Sequence, residues 1–361
     1  MGGEGREKTS GKPRGTSREA RRDKPPGRAT ISDVARNAGV SIGTVSRVLN
    51  KARNVQPALQ RRVLDAAAAL DYQPDSLAQG MRSKKTHVIG VIVPNFQNPL
   101  SSAAVTGVEE ELTRQGYTFF LANSRYDRER EISTLNEFAR RRVDGVIAIL
   151  ARDDAATAEQ LRRLSVPVVL LEREIGAEFD AVRTDQIAGT YRAARYLLAL
   201  GHRRIALVTV PPNNMSGRHR FQGYANALAD VGESVRDELV HMGGYTSEYA
   251  LDAAYAVLSM RERPTALIVS GGMLAGVLDA ARQLNLTIPD QLSLVSLGDT
   301  ELAALMRPGI TAIRYDWAES GRLAARLAVS RIGGNRVETE RFVVPYEFIR
   351  RESCVELAAV G

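Results

Sequence analysis

The stretch TISDVARNAGVSIGTVSRVLN, Thr30 to Asn50, decides how the chain is read. Ile31, Val34, Ala35 and Ala38 recur at helical spacing, so a short helix can turn that stripe inward and leave Asp33, Arg36 and Asn37 in water. Gly39 comes next and supplies the positive φ that a sharp helix end needs, with Val40 packing back across the corner. Ser41 then caps a second helix whose Val45, Val48 and Leu49 face the first. Ile42, Gly43, Thr44, Ser46 and Arg47 are left on its outer and leading surface. This is a helix-turn-helix, and that surface fits a DNA major groove, with Arg47 able to pair with a guanine edge.

An ordinary antiparallel helix pair with a solvated polar face is the plainer reading. A small residue at the crossing, a glycine in the turn and a valine opposite form a joint steric condition that such a pair does not need. The exposed face is also uncharged or basic throughout. Beyond Asn50, Pro57 opens a third helix through Leu70, with Leu59, Val63, Leu64 and Ala67 as its inward stripe, and Tyr72 and Pro74 end it.

Charge follows the same division. Of the net +7, residues 1–28 contribute +5, residues 29–87 another +5, and the remaining 274 residues −3. The positive charge therefore sits where it can displace counterions from phosphates. Residues 1–28 are rich in Gly, Ser, Pro, Lys and Arg and should be disordered; they read equally as a non-specific DNA arm and as a solubilising extension or a misassigned start.

From His87 the texture changes to short apolar runs alternating with amphipathic segments. Strands are expected near Val88–Val93, Thr118–Ala122, Gly145–Ile149, Val168–Leu171, Ile205–Val210, Ala266–Val269 and Ser293–Leu297, and helices near Ser101–Arg114, Arg130–Arg141 and Ala158–Leu164. This is the pattern of two parallel α/β sheets. The first strand–helix turn, VPNFQNPLSS, lacks the glycines of a dinucleotide fingerprint.

Other classes find little support. One cysteine, Cys354, excludes a disulfide framework and a Cys-rich zinc site. The four histidines, His87, His202, His219 and His241, lack paired metal-ligand spacing, and there is no nucleophile elbow or Walker string, so no enzyme and no cofactor are expected. His202 reads as a helix C-terminal residue. No apolar run reaches about 18 residues and the basic N-terminus has no apolar core, which leads to the expectation of a cytoplasmic protein with no membrane partner.

The chain resembles the LacI/GalR family of bacterial transcription regulators. The resemblance rests on DVARNAGVS, TVSRVLN, YQP at Tyr72–Pro74 and IGVIVPNFQNP from Ile89, then RRVDGVI, LGHRRIALV, RFQGYANAL, PTALIV, IPDQLSLVSLGD and RRES in the family's order. It implies an all-α helix-turn-helix DNA-binding domain plus an α/β periplasmic-binding-protein-like clamshell of two parallel-sheet subdomains. Implied bounds are a tail at 1–28, the DNA-binding domain at 29–73, and a hinge helix and linker at 74–87. An effector-binding and dimerisation domain follows at 88–357, its N-subdomain spanning about 88–200 and 316–344 and its C-subdomain about 201–315 and 345–357.

By that resemblance the partners are double-stranded operator DNA, a small-molecule effector, namely a sugar or sugar derivative, and a second copy in a homodimer, and the function is that of an effector-controlled repressor. An activator, or a solute-binding protein without DNA activity, is the alternative. After Cys354 too few residues remain for a tetramer-forming heptad helix. The resemblance adds Thr30, Ser32, Asn50, Val55 and the hinge residue Met81 to the DNA-binding set. Met81 stands where relatives place an intercalating leucine, and it reads either as an apolar wedge or as a linker residue. Effector contacts are implied at Asn98, Leu100, Ser101, Asn123, Arg173, Asp185, Arg220, Gly272 and Gly298.

Departures from the family pattern narrow the ligand. Gly271-Gly272 and Gly298 replace acidic contacts to sugar hydroxyls, and Leu100-Ser101 replaces an aromatic pair that would stack on a sugar or base. With Arg220, Arg173 and Arg218 kept, the pocket gains a positive bias suited to a phosphorylated sugar or a sugar acid. GDTEL from Gly298 also resembles the fructose-repressor branch, whose effector is a phosphosugar. The alternative is that these glycines only reshape the strand ends.

Overall fold

A computed structural model describes residues 29–49, 55–72, 85–334 and 338–357. The tail, Asn50, Met81 and most of the hinge lie outside the described residues. The chain divides near residue 80 into two compact units.

The first unit is built on three helices, α1 (Ile31–Ala38), α2 (Ile42–Leu49) and α3 (Pro57–Ala69). Thr30 and Asp33 form a reciprocal capping box at the start of α1. Gly39 ends it in the left-handed region, φ 63° and ψ 42°, and the Val40 N–H turns back to the Ala35 carbonyl at 3.0 Å. Arg62 Nη2 donates to the Ala38 carbonyl at 2.6 Å, so a cation on α3 satisfies the exposed end of α1. Val34, Ala35, Ala38, Val45, Val48 and Val63 close the core with Ala66 and Ala67. Leu64, expected inside, is 47 % exposed. It lies about 100° round the helix from Val63, and Ala66 takes the inward place instead.

The second unit holds two six-stranded sheets. The first contains β1 (Val88–Val93), β2 (Thr118–Asn123), β3 (Gly145–Ala148), β4 (Val168–Leu171) and β5 (Asp180–Thr184). The second contains β6 (Ile205–Val208), β7 (Val240–His241), β8 (Ala266–Ser270), β9 (Ser293–Leu297) and β10 (Thr311–Tyr315). Near the C-terminus β11 (Arg341–Val344) joins the first sheet and β12 (Tyr346–Ile349) the second. The orders are β11-β5-β4-β3-β1-β2 and β12-β10-β9-β8-β6-β7, parallel except for the β10–β12 pair. Inner strands such as β3, β4, β6, β8 and β9 are buried at every position, as strands between two helical layers should be.

Three crossings join the sheets, at Thr184–Gln186, Tyr315–Trp317 and Val344–Tyr346. The helix Gln186–Ala199 packs on β8, β9, β10 and β12, so it belongs with the second sheet. The first crossing therefore lies at residue 185 rather than near 200. The helix Trp317–Ile332 returns to β3, β4 and β5 of the first sheet and crosses the helix Pro99–Arg114. There the backbones touch: a Cβ on Gly107 would lie 1.9 Å from the Ala318 carbonyl oxygen, and one on Gly321 2.0 Å from that of Ala104. This crossing fixes the N-termini of both helices, which carry Asn98–Ser101 and Trp317, beside the strand ends.

Gly321→Ala is therefore expected to destabilise the second unit by about 1–3 kcal/mol, because a backbone carbonyl cannot move aside as a side chain can. Thermal unfolding checks this, and an unchanged melting temperature would refute so close a crossing.

Candidate functional site

At the carboxyl ends of the strands a cavity of about 70 Å³ opens between the two lobes. Crevices of α/β sheets lie at such strand ends because loops diverge there and helix N-termini point in. Of the residues implied as effector contacts, the cavity brings together Asn98, Leu100, Ser101, Arg173, Arg220 and Gly272.

Two buried guanidinium groups dominate it. Arg220 is 5 % exposed; its Nε donates to Gln186 Oε1 at 2.8 Å, and its Nη1 to Ser270 Oγ at 2.8 Å and Thr209 Oγ1 at 3.4 Å. Arg173, equally buried, donates to the carbonyls of Leu150 and Glu172, both at 2.5 Å. Neither has a carboxylate partner among the described residues. Burial works against the charge of Arg220 and lowers its pKa.

Sequence reasoning missed the nearby acid, Glu172. Its residue takes a left-handed backbone, φ 55°, an uncommon conformation for a side chain of this size. The Glu172 carboxylate accepts from Thr184 N and Thr184 Oγ1, both at 2.8 Å, and from Gln186 Nε2 at 3.3 Å. These donors are neutral, and burial pushes the Glu172 carboxyl above the usual carboxylate range. Gln186 thus links Glu172 to Arg220. A cationic pair beside one reluctant acid leaves the cavity with positive bias.

The other implied contacts are placed elsewhere. Asp185 caps the helix Gln186–Ala199 through the Ala188 N–H at 3.0 Å, and Asn123 accepts from the Arg125 N–H at 3.1 Å; neither lines the cavity. Arg218 turns away and pairs with Asp153 at 2.9 Å. Gly298 has φ 143°, and a Cβ there would stand 3.0 Å from Leu100 Cδ1; a Cβ on Gly272 would stand 3.2 Å from the Asn98 amide. Leu100 and Asn98 therefore press onto the places where acidic side chains were thought to be missing.

The expected loss of an aromatic platform is also corrected. Tyr126 and Tyr245 line the cavity and stack on each other, centroids 4.0 Å apart and planes 13° apart, and Trp317 forms another wall. Trp317 is 9 % exposed, and its indole N–H is buried without a hydrogen-bond partner among the described residues, as is Tyr315 Oη. The indole N–H is a donor awaiting an acceptor.

In the first unit, Ser32, Ser41, Ile42, Gly43 and Arg47 are exposed, and Thr44 and Ser46 half-buried. Ser41 Oγ accepts from the Thr44 N–H at 3.2 Å and so caps α2. Arg47 has no hydrogen-bond or ion-pair partner among the described residues. Thr30 is committed to its capping box, and Val55 packs against the three-helix core. His202 is buried in the second lobe between Thr265 Oγ1 at 2.8 Å and the Val355 carbonyl at 3.1 Å, a structural role. No His, Cys, Asp and Glu grouping among the described residues could hold a metal ion.

Comparison with known proteins agrees with this architecture. Residues 30–75 match the family model "Bacterial regulatory proteins, lacI family", and residues 194–354 match "Periplasmic binding protein-like domain". Catabolite control protein A of Priestia megaterium is 32 % identical over 327 residues, 90 % of this chain and 98 % of that one. The ribose operon repressor of Escherichia coli K12 is 32 % identical over 316 residues, 87 % and 96 % of the two chains. Among solved structures, the lac repressor dimer bound to operator and the anti-inducer ONPF superposes with a TM-score of 0.80 at 25 % identity, covering 91 % of this chain and 99 % of that one. The chain belongs to the lacI family of bacterial regulatory proteins and is a DNA-binding transcription regulator.

Proposed function

We propose that the protein is a homodimeric repressor whose grip on a pseudo-palindromic operator is set by a compact anionic effector, a phosphorylated sugar or a sugar acid. The observation that carries the ligand class is the pair of buried guanidiniums, Arg173 and Arg220, each bonded only to neutral groups. A cavity of about 70 Å³ favours a compact ligand over an extended one. Its anionic group would accept from the open guanidinium edges, and Trp317 Nε1 would supply one more donor.

Such a ligand alters DNA affinity only through unequal affinity for two lobe arrangements. In a dimer, that difference resets the spacing of the two hinges, each carrying Met81 as an apolar wedge at the operator's central step. On the DNA side, Arg47 reads a guanine edge, while Ile42 and Gly43 offer contact without hydrogen bonds.

Two outcomes test this reading. Arg47→Ala should cost about 1–3 kcal/mol at one base pair of each half-site in a base-substitution series, and an unchanged sequence preference would refute its role. Glu172→Gln should tighten binding of an anionic sugar by roughly tenfold and flatten its pH dependence. In the wild type, burial raises the Glu172 pKa, so as the pH falls through that value the acid is neutralised and the cavity gains net positive charge, and anion affinity rises as pH falls. A neutral sugar whose affinity follows the same course would contradict the assignment.

A further inference from the structure

The segment Leu150–Asp153 leaves β3 in the first lobe and is gripped from both lobes. Within its own lobe, the buried Glu131 accepts from the Ala151 N–H at 2.6 Å, and Arg173 Nε donates to the Leu150 carbonyl at 2.5 Å. From the second lobe, Tyr245 Oη lies 3.4 Å from the Ala151 carbonyl. Asp153 accepts from the Met215 N–H at 2.5 Å, from Arg218 Nη1 at 2.9 Å and from Arg218 Nη2 at 3.0 Å.

The Asp153 side chain is 1 % exposed, so its charge is satisfied almost wholly by the Met215 N–H, at the N-terminus of the helix Met215–Ala229, and by the Arg218 guanidinium. Neither Asp153 nor Arg218 lines the cavity. Their pairing touches no ligand position, yet it ties one lobe to the other beside the Tyr126–Tyr245 stack that does line it.

We propose that Asp153 is the latch of the cleft, a positioning residue whose bonds to Met215 and Arg218 hold the lobes closed over the cavity. Its segment is also bonded to Arg173, so an anion drawn to the free edge of Arg173 bears on the same stretch of chain that carries the latch. The proposal rests on reading the cavity as the effector site, but its test needs neither effector nor operator, so either can fail without the other.

Trp317 is the only tryptophan in the chain and lines the cavity, so its quenching by acrylamide reports how open the cleft is. In the full-length protein, Asp153→Asn and Arg218→Gln should each raise the Stern–Volmer constant by about two- to five-fold, as expected when one charge-assisted contact is lost from a closed–open equilibrium. Arg282→Gln, which removes an ion pair with Asp279 made wholly within the second lobe, should quench like the wild type. Circular dichroism verifies folding, and Arg218→Gln, on the half-exposed side of the pair, keeps the test alive if Asp153→Asn does not fold. Folded variants with wild-type quenching would overturn the proposal, as would a drop in melting temperature with no change in quenching, which would mark the pair as local structure only.

Discussion

The buried guanidinium of Arg220 is the constraint on which the second unit turns. Removing a guanidinium from water costs several kcal/mol unless its donors are satisfied. Among the described residues no acid pairs with it, and the bonds come from Gln186, Ser270 and Thr209, at the start of one helix and the ends of two strands. Those groups must converge at hydrogen-bond distance, which fixes the first crossing of the chain against the ends of β6 and β8. Gln186 extends the same network to Glu172 and Thr184. An acidic partner would stabilise the empty protein and remove the reason for an anion to bind. Under the proposed function, leaving the charge to neutral dipoles would keep the site stable and still attractive to a ligand charge.

That site is useful only if closure around it matters elsewhere in the chain. The lobes meet through three backbone crossings and a few side-chain contacts. The Gly107–Gly321 crossing holds Asn98–Ser101 and Trp317 as one rigid wall. Asp153 and Tyr126, also from the first lobe, meet Arg218 and Tyr245 of the second. On the proposed function, ligand energy would be exchanged for a change in how the lobes sit, and so for a change in DNA binding.

Much of this was legible in the sequence. The helix-turn-helix was, because its steric conditions are local: Ala35, Gly39, Ser41 and Val45 lie within eleven residues and each has one sensible place. The bounds of β1 and β4 were read correctly because buried parallel strands are continuous apolar runs, and those of β9 were read although Ser293 and Ser296 interrupt its run. Strands β5, β10, β11 and β12 were not, since DAVRT, TAIRY, RFVV and YEFI are short and mix polar with apolar residues; non-local pairing makes them strands. Within GRHRF, Arg218 and Arg220 lie two residues apart and about 200° round a helix, so only one could enter the cavity, a point spacing alone could have supplied. Glu172, Gln186, Ser270 and Trp317 come together only through the topology. The glycines at 272 and 298 looked like missing carboxylates because Leu100 and Asn98, which press on them, come from the other lobe.

The central claim is that two arginines without acidic partners define the effector's charge. Calorimetric titration of the full-length protein with neutral sugars, each matched to its phosphate and its sugar acid, tests it most directly. An anionic member of the panel should bind while its neutral parent does not, and Arg220→Gln should weaken that binding roughly ten- to a hundredfold. Tight binding of a neutral sugar, with affinity intact in Arg220→Gln, would contradict both the charge argument and the placement of the site.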